Sequence, residues 1–208
     1  MKIVHQDSDI VVVEKESGLL SVPGRGPEKI DSVVHRIRQL IPECISHPAA
    51  HRLDMDTSGL MVLGLTAEAH RHLSIQFQDR TVEKNYLALL DGILAEDEGT
   101  ITLPFRLDID NRPHQIYDEV HGKIGTTEWK KVGIEDNHTR IAFHPITGRT
   151  HQLRVHSAHP KGLGIPIVGD NLYGSGTSFG ELKLHAADLA FTHPTTGEAL
   201  SFATPPPF

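Results

Sequence analysis

Val82 to Leu90, Thr100 to Arg106, Thr126 to Val132 and Thr139 to Pro145 are strand-like runs that adjoin one another in sequence with turn chemistry between them. Consecutive strands joined by short turns pair antiparallel, because a parallel neighbour needs a long crossover, usually a helix. This order favours an α+β architecture with a mixed, largely antiparallel central sheet and flanking helices and loops, rather than a doubly wound parallel sheet. Further strands are expected at Ile3 to His5 and Ile10 to Glu14, at Gly59 to Leu65, and in a hairpin of Leu182 to Thr192 with Ala199 to Thr204 around Pro194 to Gly197. Helices are expected after an Asp31 cap, with Val33, Val34, Ile37 and Leu40 on one face, and after a Thr66 cap from Ala67 to Arg80. A short third helix is expected from His151 to Ala158, ended by Pro160.

At 208 residues, 38% hydrophobic and 23% charged, the chain reads as one globular domain, 1–208, without a linker or repeat. No apolar run is long enough for a membrane span, and no basic leader precedes the first strand, so a cytoplasmic protein is expected, with a monomer as the default. The single cysteine, Cys44, excludes an internal disulfide and a cysteine-based zinc cluster. A net charge of −7 argues against indiscriminate polyanion binding. The charge is uneven, however: from Asn137 to Gly169 there is no Asp or Glu, while Arg140, Arg149, Arg154 and Lys161 are present with five histidines. This is an acidic chain with one local cationic stretch.

Two strings carry chemistry. His51-Arg52-Leu53-Asp54-Met55-Asp56-Thr57-Ser58-Gly59 combines a carboxylate, an adjacent cation and turn-forming residues just before an apolar strand. Gly148-Arg149-Thr150-His151-Gln152-Leu153-Arg154-Val155-His156 lies at a strand-to-helix junction inside the acid-free stretch, a suitable place for a phosphate. Together these strings resemble the hallmark motifs of RluA-type RNA pseudouridine synthases. The resemblance extends over nearly the whole chain: Ile10 to Pro23 with Ser-Gly-Leu-Leu-Ser-Val-Pro, Lys84-Asn85-Tyr86, Pro166 to Asp170, Leu172-Tyr173-Gly174, Leu184-His185-Ala186 and Phe191 to Pro194 follow in the expected order. The first motif starts almost at Met1, so the S4-like RNA-binding module of some members is not expected.

The resemblance implies a pseudouridine synthase fold with an active-site cleft across the sheet. It also implies isomerisation of uridines in structured RNA, ribosomal or transfer RNA stem-loops, with no cofactor and no metal. It assigns Asp54 as the catalytic carboxylate, Arg154 as the guanidinium that keeps it ionised, and Tyr86 as the ring packed on uracil. His51, Arg52, Thr57, Arg149, His151 and Gln152 become candidate RNA contacts, Arg52 entering the space left by a flipped nucleotide. Plainer alternatives stand beside these: a core tyrosine at 86, a surface ion pair at Arg52, and hydrogen-bonded structural roles for Arg149, His151 and Gln152. Other function classes are a glycoside hydrolase using Asp54 and Asp56, a histidine-based metal hydrolase, and a non-catalytic RNA-binding protein. The first leaves the second motif and the Lys-x-Tyr strand without a purpose. The second lacks a ligand pair, since His151 and His156 are five apart and no His-Glu-x-x-His occurs.

Overall fold

The computed structural model describes all residues from Met1 to Phe208. In chain order the strands are β1 (Lys2–Gln6), β2 (Ile10–Lys15), β3 (Ser58–Gly64), β4 (Glu83–Leu90), β5 (Glu98–Leu107), β6 (Gln115–Tyr117), β7 (Lys123–Glu135), β8 (His138–Pro145), β9 (Leu184–Thr192) and β10 (Ala199–Ala203). The α-helices are α1 (Val33–Leu40), α2 (Ala67–Asp79) and α3 (Gln152–Ala158). No helix is long and apolar enough to cross a membrane. The residues group into two compact units, 1–84 with 185–207, and 85–184 with Phe208.

In the first unit β1 pairs with β2, β2 with β3 and β9 with β10, all antiparallel, while β3 and β9 run parallel. Ile10, Val11, Val12 and Val13 are wholly buried and every residue of β3 is buried, so these two strands are covered on both faces. That explains their continuous apolar runs where a half-exposed strand would alternate. One face forms a core with Leu73 and Ala69 of α2, joined by Val82, Leu189 and Phe191. Burial of a side chain such as Leu73 contributes roughly 1.5–3 kcal/mol. Gly59 sits at φ +112° opposite Ala186 of β9, and a Cβ there would lie 2.3 Å from the Ala186 carbonyl oxygen. Only glycine permits this parallel pairing.

Both predicted helices of this unit form, with one difference in capping. Thr66 accepts from the Ala69 amide at 3.1 Å as expected. At α1, however, Ser32 and not Asp31 is the cap, accepting from the His35 amide at 3.2 Å. Asp31 is drawn aside by Arg36, which grips both its oxygens at 2.8 Å. Leu40 also departs from the expected face and is 62% exposed.

The second unit is an antiparallel array in the order β4-β8-β7-β5-β6. Alternate residues, among them Ala88, Leu90, Ile101, Leu103, Phe105, Trp129, Ile141 and Phe143, bury one face, where Leu153 and Val155 of α3 join them. Strand β7 runs to Glu135 and turns through Asp136 and Asn137, at φ +47° and +63°, into β8. Asp and Asn tolerate that region, so the hairpin is longer than the apolar pattern alone predicts. The three-residue β6 was not anticipated; it is too short to leave a period-two signature.

Candidate active site

In the first unit the His51-to-Thr57 string is a loop ahead of β3, and the residues from Lys15 to Ser21 hold it by its backbone. Lys15 ends β2 and is wholly buried. Its Nζ donates to the carbonyls of Met55 at 2.7 Å, Leu19 at 2.7 Å and Glu16 at 3.0 Å, which uses all three ammonium protons. The Gly18 amide also donates to the Met55 carbonyl at 3.0 Å, and the Ser17 hydroxyl donates to that of Asp56. Ser21 Oγ donates to the Leu53 carbonyl at 2.6 Å and accepts from the Leu53 amide at 3.0 Å. Asp54, half-buried, is flanked on both sides by these bonds while its carboxylate takes part in none of them. The Thr57 amide closes the turn onto the Asp54 carbonyl at 3.2 Å.

Burial pushes the Lys15 ammonium down to about 8, with Asp56, Asp54 and Glu16 favouring its charged form. A cation therefore lies within electrostatic reach of Asp54 in its own unit. The sequence reading missed it, although a lysine at the end of a fully apolar strand is an unusual placement. The loop is anchored again at Ser58, whose hydroxyl meets His185 Nδ1 at 2.8 Å, while His185 Nε2 reaches Thr204 Oγ1 at 3.0 Å. The Leu184-His185-Ala186 string thus serves the same loop as the first motif.

Of the candidate contacts in this unit, only Arg52 is exposed, and no ion pair engages it, contrary to the plain surface alternative. His51 does not reach out. Its Nε2 accepts from the Val62 amide at 3.1 Å and its ring stacks on Phe77 at 4.2 Å. Burial, aided by Lys84, pushes it down to about 3, so it stays neutral. Thr57 is buried, which leaves it a structural part in the loop.

In the second unit α3 presents the other string. His151 caps the helix at φ +56°, a left-handed conformation rare for a non-glycine residue, and its Nδ1 lies 2.8 Å from the Tyr173 hydroxyl. Gln152 is buried and saturated. Its Oε1 accepts from Thr147 Oγ1 at 2.7 Å and the Arg149 amide at 3.0 Å, and its Nε2 donates to the Thr126 carbonyl at 3.0 Å and Thr127 Oγ1 at 2.9 Å. With every donor and acceptor taken, it shapes the loop and has no capacity left for a phosphate. Arg149 is exposed, with only a long 3.4 Å bond to the Ile124 carbonyl. Tyr86 is half-buried, opposite Phe143 and packed against the core. Arg154 is 2% exposed and paired with the fully buried Asp170, at 2.9 Å from Nε and 2.6 Å from Nη2. This carboxylate was not foreseen, because nothing in sequence links positions 16 apart across a helix end and a loop.

Asp7, Asp9 and His193 bring three potential metal-ligand atoms within 4.8 Å of one another. Their hydrogen bonding does not suit a cation. His193 Nδ1 accepts from the Thr195 and Thr196 amides at 3.2 and 3.0 Å, so its proton sits on Nε2, which donates to Asp7 Oδ2 at 3.1 Å. A metal on Nε2 would force a proton onto Nδ1 against two N–H donors. Burial would raise Asp7, but His5, the Asp9 and Ile10 amides and His193 hold it at about 2. The cluster is a structural staple.

The sequence model of one family, the RNA pseudouridylate synthases, matches residues 9–159. The chain belongs to the RNA pseudouridine synthase family. It is an isomerase that acts on uridines in RNA, as the resemblance implied. Among its relatives is the dual-specificity RNA pseudouridine synthase RluA of Yersinia pestis, 45% identical over 206 residues, with 97% of each chain covered. The protein of the same name from Escherichia coli K12 is 44% identical over 210 residues, covering 99% of this chain and 93% of the other. Among solved structures, human RNA pseudouridylate synthase domain containing 1 superposes with a TM-score of 0.80 at 30% identity, covering 100% of this chain and 84% of that one. Human RNA pseudouridylate synthase domain containing 4, at 24% identity and a TM-score of 0.75, shares the fold. The mixed, mostly antiparallel strands of this synthase are those of that fold.

Proposed function

We propose that Asp54 is the catalytic carboxylate of this synthase, with Tyr86 and Arg154 completing the chemistry on a flipped uridine. Pseudouridine formation breaks the N1–C1′ bond, turns the uracil and joins C5 to C1′. One proton leaves C5 and one is gained at N1, so the reaction balances without a donor, a redox partner or a metal. Asp54 acts on the ribose, either at C1′ as a nucleophile or at C2′ toward a glycal. Tyr86 packs on the uracil and assists removal of the C5 proton. Arg154 supplies the reaction with a guanidinium, a cation that does not deprotonate.

The observation that carries this reading is the backbone clamp on either side of Asp54, with bonds to Leu53, Met55 and Asp56 that leave its own carboxylate to the substrate. Preorganisation of that kind is what a reacting group needs and a surface loop does not. Exposed Arg52 and Arg149 contact RNA, while His51, Thr57 and Gln152 shape the loops that carry them. As with the relatives called dual-specificity, more than one RNA is modified, with ribosomal and transfer RNA stem-loops as the substrates. The enzyme works as a monomer in the cytoplasm, its two units acting as one catalytic domain.

Tritium release from C5-labelled RNA tests the core of this. Asp54→Asn should release none, and full activity would overturn the assignment. Tyr86→Phe should slow release; an unchanged rate reduces Tyr86 to packing. Mapping pseudouridines in ribosomal and transfer RNA of a strain without this protein identifies the substrates, and loss in one RNA class alone rules out the dual reading.

A further inference from the structure

We propose that the cavity between β6 and the end of α3 is a binding subsite for an unpaired base of the substrate RNA, other than the reacting uridine. This rests on RNA being the substrate, and not on the roles assigned to Asp54, Tyr86 and Arg154.

The cavity belongs wholly to the second unit and has a volume of about 380 Å³. That falls within the about 300–1,000 Å³ typical of small-molecule sites. Val155 and Ala158 of α3 give it an apolar lining, and three rings, Tyr117, His159 and Tyr173, stand around it. Tyr117 and His159 are stacked on each other, with centroids 5.0 Å apart and planes 25° from parallel. Lys161 holds this pair: its Nζ lies 4.4 Å from the Tyr117 ring centroid and donates to the Tyr117 hydroxyl at 2.8 Å. Tyr173 is held in turn, its hydroxyl accepting from the Gln115 amide at 2.8 Å and its ring centroid 5.4 Å from Arg154 Cζ. The cavity therefore lies beside the motif string of α3. Rings fixed before binding lose little freedom when a further ring packs on them.

Charge decides between a base and a phosphate. No cation lines the cavity, and Lys161 at its border also donates to Glu119 at 2.9 Å, which offsets its charge. Burial, aided by Lys161, pushes His159 below its ordinary value, so that ring is neutral. A phosphate would find no uncommitted positive charge here, whereas a flat, uncharged base finds aromatic faces to stack on. It also finds partners for its edge. The Gln115 side-chain amide lines the cavity and forms no hydrogen bond within the protein. His159 Nδ1 accepts from the Lys161 amide at 3.1 Å, so its proton sits on Nε2, which has no acceptor in the protein. An amide with a donor and an acceptor, beside a ring N–H, suits the mixed pattern of a base edge. Strand β6 and the Leu172-Tyr173-Gly174 string, which the catalytic chemistry had not used, both serve this cavity.

The test uses the whole enzyme and an RNA fragment carrying its mapped target uridine. His159→Ala should raise Kd for that fragment about 5- to 100-fold, the range expected for one stacked base. The accompanying loss in kcat/KM should appear mainly in KM. Replacing the unpaired nucleotides one at a time by abasic ones should reveal one position, apart from the target, that matters by a similar factor. In His159→Ala the same abasic replacement should add almost nothing. Ala158→Phe fills the cavity without removing a packed group and should give the same pattern, so it decides the matter if His159→Ala does not fold. Wild-type Kd in Ala158→Phe, or additive losses from the protein and abasic changes, would overturn the proposal. A weakened His159→Ala complex that no abasic replacement reproduces would mark a backbone contact and overturn it equally. Because the readout is binding, failure of the catalytic assignments would show in tritium release and leave these results unchanged.

Discussion

Ser21→Ala removes one oxygen atom and should loosen the loop that carries Asp54. Ser21 is 3% exposed, and its Oγ serves both polar backbone groups of Leu53, the residue before Asp54, as donor at 2.6 Å and acceptor at 3.0 Å. No other backbone bond engages Leu53, so alanine leaves an N–H and a C=O without partners in a site closed to water. Each orphaned group costs about 1–3 kcal/mol, and partial relaxation gives an expected total of about 2–4 kcal/mol. With a urea dependence of about 2 kcal/mol per M for a chain of this size, the midpoint should fall by about 1–2 M. Native-state hydrogen exchange gives the local readout: the Leu53 amide should lose protection in Ser21→Ala, while the Ile141 amide in β8 keeps its own under strongly native conditions. Turnover should fall as well, because the backbone before Asp54 is no longer held. An unfolding cost below about 0.5 kcal/mol, with the Leu53 amide still protected, would show that the loop is held by other means and refute the argument from the clamp.

Gly59→Ala should cost about 3 kcal/mol or more in a thermal unfolding experiment, since its Cβ meets the Ala186 backbone at φ +112°; a loss under 1 kcal/mol would contradict the close approach of β3 and β9. His156 and His51 are pushed by burial to about 4 and about 3, so both favour the neutral folded state. Their stabilisation is complete above pH 6.5 and is lost as pH falls toward the folded values, about 3 kcal/mol for His156. Neither His156 ring nitrogen has a partner, so His156→Phe should keep stability at pH 7 and flatten the decline in urea midpoint below pH 6.5; an undiminished slope would rule His156 out. Lys15 runs the other way: its folded value of about 8 lies below its ordinary 10.5, so the folded state gives up the proton first. The wild type should gain up to about 3 kcal/mol relative to Lys15→Met between pH 8 and 10.5, and a constant difference between the two would refute the buried ammonium.

Strand order and cap chemistry are local, and that is why they were legible in the chain itself. Thr66 caps α2 because its hydroxyl reaches an amide three residues away, and the buried strands β2 and β3 announce themselves as unbroken apolar runs. Where two local solutions compete, sequence chose less well: Asp31 and Ser32 can both cap α1, and the Arg36 side chain decided between them. The motif strings singled out Asp54 and Arg154 by resemblance, with no account of what holds either one.

By itself, then, the sequence determined the family and the antiparallel habit and singled out the candidate residues, because each is written in short stretches of chain or in their order. Only the tertiary structure decided which of those residues are free to act. It saturated Gln152, kept His51 neutral against Phe77, placed Lys15 beneath the Asp54 loop and paired Arg154 with the buried Asp170. These are long-range matters: a buried polar group must find partners wherever the fold brings them, and no spacing along the chain records which they are.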